Sequence, residues 1–365
     1  MSPALASDFL TRPRATEIAV ALEPAHNVLT SMLLISMVDQ LSGLGDWVNR
    51  TAARMSAADL QRNRLIFEGL YFAVLPDRRW PSFTAYLEDL EHAHPAVLRD
   101  RLLRQITRPN ASDKPGYAER ARPEALLADV ENYLDFLRTY MCAIDEPIER
   151  ETHALLNDLP AMQRLIVTHL RELWQGGLAA EWERVVPMLH DAVGAFQQID
   201  FSRKTGAEAM QLVLGREPDE KWQRLVGEAR QVIFVPSAHI GPYLRKCMAD
   251  QTIWVVFGAR QPESVPAGGS ALSRSDLLVR LGALTDDTRL RILALLSQHD
   301  ELCAQDIMTM LDLTQSATSR HLRQLSASGY ITERRRDIAK CYALNRERIG
   351  DTFQALERFL AQPSS

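Results

Sequence analysis

The sequence lacks the features that mark secreted, membrane-spanning or zinc-binding proteins. Its four cysteines lie too far apart in sequence to indicate a disulfide framework or a CxxC zinc site. The longest uncharged apolar stretch, residues 24–38, is too short to cross a bilayer. The amino terminus does not have the basic-then-apolar order of a signal peptide. These absences predict a cytoplasmic protein with no membrane partner.

Enzyme signatures are also missing, since the sequence has no GxGxxG, GxxxxGK[ST], HExxH or GxSxG motif. The alternate pair His92 and His94 would suit a metal site on a strand, but the segment around it looks helical, which favours a surface role. Ser237 and His239 follow a predicted strand, but an extended chain rarely brings such neighbours into hydrogen-bonding register, and no third member is visible. We therefore predict no catalytic residue, no metal site and no cofactor.

What is present is the composition of an ordinary globular protein. The 365 residues are 46% hydrophobic and 24% charged, enough apolar matter for cores in two or three domains. Residues 261–270 (QPESVPAGGS) combine proline, glycine and serine in the manner of a linker. We therefore expect a domain at 1–260, a linker at 261–271 and a domain at 272–365.

The charges divide unevenly between these parts. Residues 272–365 contain 13 Arg and Lys against 12 Asp and Glu, a net charge of +1. Of the whole chain's 42 basic and 47 acidic residues, 29 and 35 remain for the rest, a net charge of −6. The acidic N-terminal part is therefore a poor partner for polyanions.

The N-terminal part reads as mainly helical with a small sheet, an α+β domain. Ser56 and Asp59 form a capping-box arrangement at the start of one helix. Further helices are predicted in residues 124–143 and 151–198, the latter interrupted near Pro160 and Pro187. Short strands rich in Val and Ile are predicted at residues 17–22, 232–235 and 253–257.

The loop at residues 236–243 leaves the carboxyl end of a predicted strand, where ligand crevices often lie in mixed folds. The tryptophans of this part could line an apolar pocket, although aromatic residues are more often core. They are Trp47, Trp80, Trp174, Trp182, Trp222 and Trp254. The ligand itself stays unknown.

The C-terminal 95 residues predict a winged helix-turn-helix. Amphipathic helices are expected at residues 276–284, 285–296, 303–311 and 314–327, and Gly329 follows where a left-handed residue usually stops a helix. Residues 331–335 and 340–344 alternate as the two strands of a wing. Asn345 then caps a last amphipathic helix.

The fourth of these helices has one apolar and one polar side. At about 100° per residue, Thr318, Leu322 and Leu325 fall together. Ser316, Ser319, Arg320 and Arg323 fall opposite, and Gln315 lies in the first turn, where a helix in the major groove meets base edges. Residues 315–340 hold six Arg and Lys against two acids. A local charge of +4 in a chain of net charge −5 is typical of a DNA-contacting surface.

This part resembles the ArsR family of bacterial winged-helix repressors. The recognition stretch 313–325 (LTQSATSRHLRQL) is close to the family's L-S-Q-S-x-V-S-x-H-L pattern, from which Thr314 and Thr318 depart conservatively. Further matching segments are 285–296 (TDDTRLRILALL), 301–307 (ELCAQDI), 328–337 (SGYITERRRD) and 341–344 (CYAL).

The resemblance implies a homodimer on a partly palindromic operator in double-stranded DNA. It assigns DNA contacts to Gln315, Ser316, Ser319 and His321, and phosphate contacts to the wing arginines. For His321, packing between helices is an equally good interpretation. The full set of predicted DNA-binding residues is Thr314, Gln315, Ser316, Thr318, Ser319, Arg320, His321, Arg323, Arg334, Arg335, Arg336 and Lys340.

Many members of this family sense metals through a Cys-x-Cys pair in the third helix or through Asp and His in the last helix. Here Cys303 fills the first position but Gln305 the second, and the last helix has no His or Cys. One thiolate is a poor site for a soft metal, and nothing in the sequence places Cys341 beside Cys303. We therefore expect Cys303 to be a small buried residue, and the effector to be a non-metal small molecule or a partner of the N-terminal domain.

The favoured hypothesis is a transcriptional regulator, a repressor in the manner of the family, rather than an enzyme. A second hypothesis makes the N-terminal domain an enzyme and the winged helix its regulatory appendage. A third makes the winged helix a protein-binding module, for which association would not depend on salt.

Overall fold

A computed structural model describes residues 16–41, 43–108, 114–141, 144–215, 218, 220–259, 274–336 and 339–361. The chain is mainly helical with two small sheets, as predicted. The predicted linker at 261–271 lies outside the described residues. Within them, no helix combines the length and the apolar character needed to span a membrane.

The N-terminal part consists of one four-stranded sheet and thirteen α-helices in the described segments. Its strands are β1 (Glu17–Val20), β2 (Gln231–Ser237), β3 (Leu244–Ala249) and β4 (Thr252–Gly258). Its helices are α1 (Pro24–Ile35), α2 (Asp46–Arg54), α3 (Ala57–Arg64), α4 (Phe83–His92), α5 (Pro95–Ile106), α6 (Tyr117–Arg120), α7 (Pro123–Ala128), α8 (Val130–Tyr140), α9 (Glu146–Asn157), α10 (Leu159–Leu173), α11 (Ala179–Gln197), α12 (Gly206–Leu214) and α13 (Glu220–Glu228).

The sheet has the strand order β1-β2-β4-β3, with β1, β2 and β4 parallel and β3 antiparallel to β4. One face packs on α1 and α2 through Leu34, Val48 and Trp254, and the other packs on α11 and α12 through Phe196 and Met210. The helices α4 to α10, together with α1, surround a second large apolar core. The carboxyl ends of β2 and β4 therefore meet at one edge of a sheet that is covered on both faces.

Local chemistry explains most helix boundaries, and in two places it corrects the sequence interpretation. Ser56 caps α3 by accepting a hydrogen bond from the Asp59 amide at 3.1 Å, as predicted. The helix predicted at 124–143 is broken at Asp129, whose carboxylate caps α8. Pro187 does not interrupt α11. The interruption lies instead at Gly177, whose φ of 141° suits glycine alone.

The C-terminal part has the predicted order of a winged helix-turn-helix. Its elements are α14 (Arg274–Ala283), α15 (Asp287–Ser297), β5 (Leu302–Cys303), α16 (Ala304–Leu311), α17 (Gln315–Ala327), β6 (Ile331–Arg336), β7 (Ala339–Leu344) and α18 (Arg346–Ala361). The strands β5, β7 and β6 form an antiparallel sheet in that order, and β6 with β7 forms the wing. Ile292, Leu322 and Tyr330 lie at the centre of its own apolar core.

Candidate nucleic-acid interface

The helix α17 begins and ends where its sequence dictates. Thr314 accepts a hydrogen bond from the Ala317 amide at 3.3 Å, which satisfies one of the unpaired donors of the first turn. Gly329 ends the helix region with φ of 80°, a left-handed conformation that favours glycine. These two signals fix the length of the helix that carries the candidate contact residues.

The two sides of α17 are divided as its sequence predicts. Thr318, Leu322 and Leu325 are buried in the domain. On the opposite side, Gln315, Ser316 and Arg323 are exposed, and Ser319 and Arg320 are half-buried. The polar side thus presents hydroxyl, amide and guanidinium groups along one helix face.

Two predicted contact residues lie on the inward side instead. The Thr318 hydroxyl donates to the Thr314 carbonyl at 2.9 Å. His321 is 5% exposed, and its Nδ1 lies 3.6 Å from the Asp286 carboxylate. Burial lowers the pKa of His321, and Asp286 opposes this shift. For His321 the structure thus supports the packing interpretation, and we restrict the proposed base contacts to the outward residues.

The cations of this surface differ in their surroundings. Among the residues that the structure describes, Arg320 and Arg323 have no acidic partner within salt-bridge distance. On the wing, Arg334 pairs with Glu301 at 2.8 Å and Lys340 with Glu333 at 2.6 Å. Such exposed pairs contribute at most about 1 kcal/mol, so a phosphate can replace the carboxylate.

Arg335 and Arg336 follow Arg334 along the strand β6, but their side chains are not among those described. The backbone register pairs Arg335 with Lys340. The wing therefore brings basic residues of both strands to neighbouring positions.

Cys303 and Cys341 form a disulfide, which corrects the sequence interpretation. The two residues face each other in the antiparallel pairing of β5 with β7. Cys303 is also the N-cap of α16, where its amide donates to Asp306 at 3.0 Å. The bond therefore joins the wing to the N-cap of the helix that precedes the turn. This proximity arises from strand pairing across 38 residues, which no local sequence signal reveals.

The histidine pair of the sequence analysis, His92 and His94, makes local contacts with the backbone of its own helices. His94 caps α5, and His92 contacts the Glu88 carbonyl. Within the described segments, no three His, Cys, Asp or Glu side chains come together as a metal site requires. The tryptophans pack in or against the apolar cores rather than around the pockets.

The His239 ring has polar partners that the sequence did not reveal, and the His239 amide donates to Ser237 Oγ at 3.4 Å. Its Nδ1 lies 2.7 Å from Ser31 Oγ, and its Nε2 lies 3.0 Å from Glu181 Oε1. The serine, imidazole and carboxylate have the connectivity of a catalytic triad, and Glu181 is a third member that the sequence did not reveal. All three side chains are buried, however, and none lines a described pocket. We interpret them as a network that anchors the loop after β2 to α1 and α11.

The loop after β2 and the neighbouring loop before α2, which contains Gly43, both extend to the winged helix. Gly43 lies so close to α17 that a Cβ atom added there would be 2.8 Å from Gln324 Nε2. Gln324 is correspondingly buried, at 2% exposed. The Gly45 amide donates to the His239 carbonyl at 3.0 Å, which ties the two loops together. The C-terminal half of α17 is thus in contact with the N-terminal part.

Comparison with known proteins matches part of the winged helix-turn-helix to a family of regulators. The family model of bacterial regulatory proteins of the arsR family matches residues 286–333. Over 86 residues, the chain is 35% identical to the arsenic resistance transcriptional regulator ArsR2 of Pseudomonas putida, covering 22% of this chain and 75% of that protein. The chain belongs to the ArsR family.

A second relative is the arsenical resistance operon repressor of Escherichia coli, which is 48% identical over 52 residues, covering 14% of this chain and 44% of that repressor. The ArsR-family chain thus spans less than half the length of this relative. Among solved structures, the reduced HlyU of Vibrio cholerae is 30% identical, with 24% of this chain and 92% of that chain covered and a TM-score of 0.20. The family match leaves the residues before 286 uncovered.

Proposed function

We propose that this ArsR-family chain is a DNA-binding transcriptional regulator that contacts operator DNA through α17 and the wing. The exposed side of α17 carries the proposal, because it combines Gln315 and Ser316 with two guanidinium groups that have no acidic partner among the described residues. Gln pairs with adenine and Arg with guanine in the major groove, whereas the wing arginines serve the phosphates.

The domain division predicted from the sequence is part of this proposal. Residues 272–365 bind DNA, and residues 1–260 respond to a non-metal effector or provide further dimer contacts. The contact between Gly43 and Gln324 supports a response of DNA binding to the N-terminal part, because it joins that part directly to α17, the proposed recognition helix.

Selection of bound DNA from a random pool tests the proposal, and Gln315→Ala sharpens the test. We expect this variant to lose discrimination at one base pair per half-site, at a cost of about 1–3 kcal/mol, with its affinity for other sequences unchanged. Gln298→Ala removes an exposed glutamine from the end of α15 and serves as the matched control. Identical selected sequences for wild type and Gln315→Ala would refute the assignment of α17 to the groove.

An exposed apolar surface supports the homodimer. On α14 and α18, which pack against each other, Leu278, Phe353 and Leu360 are 62%, 50% and 72% exposed. The sequence had indicated an amphipathic α18, but the structure buries only part of its apolar stripe within the chain. A second copy that covers this surface would leave both α17 helices outside it, and a dimer places two such helices about 34 Å apart on DNA.

The double variant Phe353→Glu and Leu360→Glu should weaken dimerisation by about 100-fold or more, because it would bury unpaired carboxylates in an apolar contact. Sedimentation velocity at micromolar concentration should then show one chain where the wild type shows two. Val97→Glu changes another exposed apolar residue, which is 40% exposed on α5, and should leave the mass at two chains. A variant that stays dimeric would place the interface elsewhere.

A further inference from the structure

A pocket lies between the N-terminal part and the winged helix. Its volume is about 180 Å³, and it opens at the carboxyl ends of β2 and β4, next to the predicted ligand loop. The N-terminal part contributes residues from the ends of both strands, including Ser237, Phe257 and Ala259. The winged helix contributes Arg280 of α14, Ala327 at the end of α17 and Arg348 of α18, among others.

The wall on the N-terminal side is made of closely packed backbone. A Cβ atom at Gly241, whose φ is 60°, would lie 2.1 Å from the Gly43 carbonyl oxygen. A Cβ atom at Gly258 would lie 2.4 Å from the Gly241 carbonyl oxygen. Only glycine allows these loops to interlock, so this wall is preformed, as small-molecule sites usually are.

The lining combines apolar surface with positive charge. Met188, Leu214 and Phe257 supply apolar contacts, and the two arginines supply charge. None of the described lining residues is acidic. The Arg348 Nε donates to the Ser328 carbonyl at 3.3 Å, and its side chain lies against Gly329, which holds it at the end of α17. A guanidinium group has five N–H donors, so it can hold this carbonyl and an anion together.

We propose that this pocket binds a small organic carboxylate with a compact apolar body. A protein cavity of about 150 Å³ holds one benzene molecule, so a pocket of about 180 Å³ has room for a compact apolar body of that size. A planar carboxylate matches the fork of a guanidinium group, and the apolar body matches the remaining lining. The regulatory role of such a ligand depends on the proposed function, whereas its binding does not.

The position of the pocket explains how a bound ligand would change the affinity for DNA. The ligand contacts the strand ends on one side and, through Arg348, the last residues of α17 on the other. It therefore stabilises one arrangement of the two parts. By linkage, any change that it causes in operator affinity appears equally as a change in ligand affinity when operator is bound.

Titration calorimetry of the full chain with benzoate tests the proposal, alongside benzyl alcohol as a neutral probe of similar size and inorganic phosphate as an anion without an apolar body. We expect saturable benzoate binding that is at least tenfold tighter than binding of either other probe, because only benzoate satisfies both parts of the lining. Equal binding of benzoate and benzyl alcohol, preferential phosphate binding or no saturable benzoate binding would each overturn the proposal.

Variants locate the site. Arg348→Gln and Ala327→Leu should each weaken benzoate binding at least tenfold, the first by removing charge and the second by filling the pocket. Arg346→Gln, two residues away on the same helix and outside the lining, should not. Circular dichroism and melting temperature check that each variant is folded. Equal effects of the two arginine variants would overturn the site. Benzoate binding without DNA binding would contradict only the proposed function.

Discussion

Replacing Arg334, Arg335 and Arg336 together with alanine should weaken binding to every DNA sequence by on the order of 100-fold at physiological salt. Each lost phosphate contact removes about 0.9 from the slope of log affinity against log salt concentration, so the slope should fall by up to about 3 for each bound chain and by up to about 5 for a dimer. The base preferences read by α17 should remain. Fluorescence anisotropy with operator and unrelated duplexes over a range of salt concentrations measures both quantities.

The matched control changes the net charge of the chain by the same amount at another place. Arg50, Arg54 and Arg164 are exposed residues of the N-terminal helices α2 and α10. Their triple replacement with alanine should leave the salt slope within experimental error of the wild type. A wing variant that keeps its full slope would show that the wing does not contact phosphates.

Between pH 7 and pH 5, the buried residues His26 and His169 should each lower the stability of the N-terminal part by about 2 kcal/mol. Glu149, whose burial raises its pKa to about 7, acts in the opposite direction. Burial, with a contribution from Arg245, lowers the pKa of His26 to about 3, and burial lowers the pKa of His169 to about 4. In the unfolded chain both residues titrate near pH 6.5. The stability that these two histidines contribute is therefore fully present above pH 6.5. Below pH 6.5 the unfolded chain binds protons at these residues and the folded chain does not, so this stability is lost. Each residue then costs about 1.4 kcal/mol per pH unit until the folded pKa is reached.

His26→Phe isolates one of these contributions. In the described structure neither ring nitrogen of His26 has a hydrogen-bond partner, and its ring centroid lies 4.6 Å from that of Trp254, so an apolar ring suits the site. At pH 5 the variant should be about 2 kcal/mol more stable than wild type relative to their difference at pH 7. Urea unfolding followed by tryptophan fluorescence reports on this part, because all six tryptophans lie in it.

His190→Gln provides the comparison for this experiment, since His190 is exposed on α11. It should show the same dependence of stability on pH as the wild type. A His26→Phe protein with an unchanged pH dependence would mean that His26 is protonated in the folded chain.

The winged helix could be predicted because its signals are local. Thr314, Gly329 and Asn345 each act on residues within one helical turn, and the alternation of the wing strands is visible in a few residues. The sidedness of α17 follows from helical periodicity alone, so Leu322 and Leu325 were placed correctly. The burial of His321 beside Asp286 and the pairing of Cys303 with Cys341 depended instead on partners distant in sequence.

The N-terminal part was predicted less completely because its decisive contacts are distant in sequence. Strand β3 was missed, since Arg245 and Lys246 interrupt its apolar pattern. The Arg245 guanidinium is accommodated by the Thr30 hydroxyl at 3.1 Å and by the Tyr71 ring at 4.8 Å from its centroid. The loop at 236–243 is predicted to border a ligand crevice, but its connection to α17 through Gly43 could not be read from any spacing.

The disulfide between Cys303 and Cys341 encloses the whole recognition unit in a covalent ring. The helices α16 and α17 and the strand β6 all lie between the two sulfur atoms. A single proteolytic cut within this ring leaves the two fragments attached until a reductant separates them. Closing a loop of this size lowers the entropy of the unfolded chain, which stabilises the folded state by about 2–4 kcal/mol. Reduction of the disulfide should therefore make the segment that contacts DNA easier to unfold.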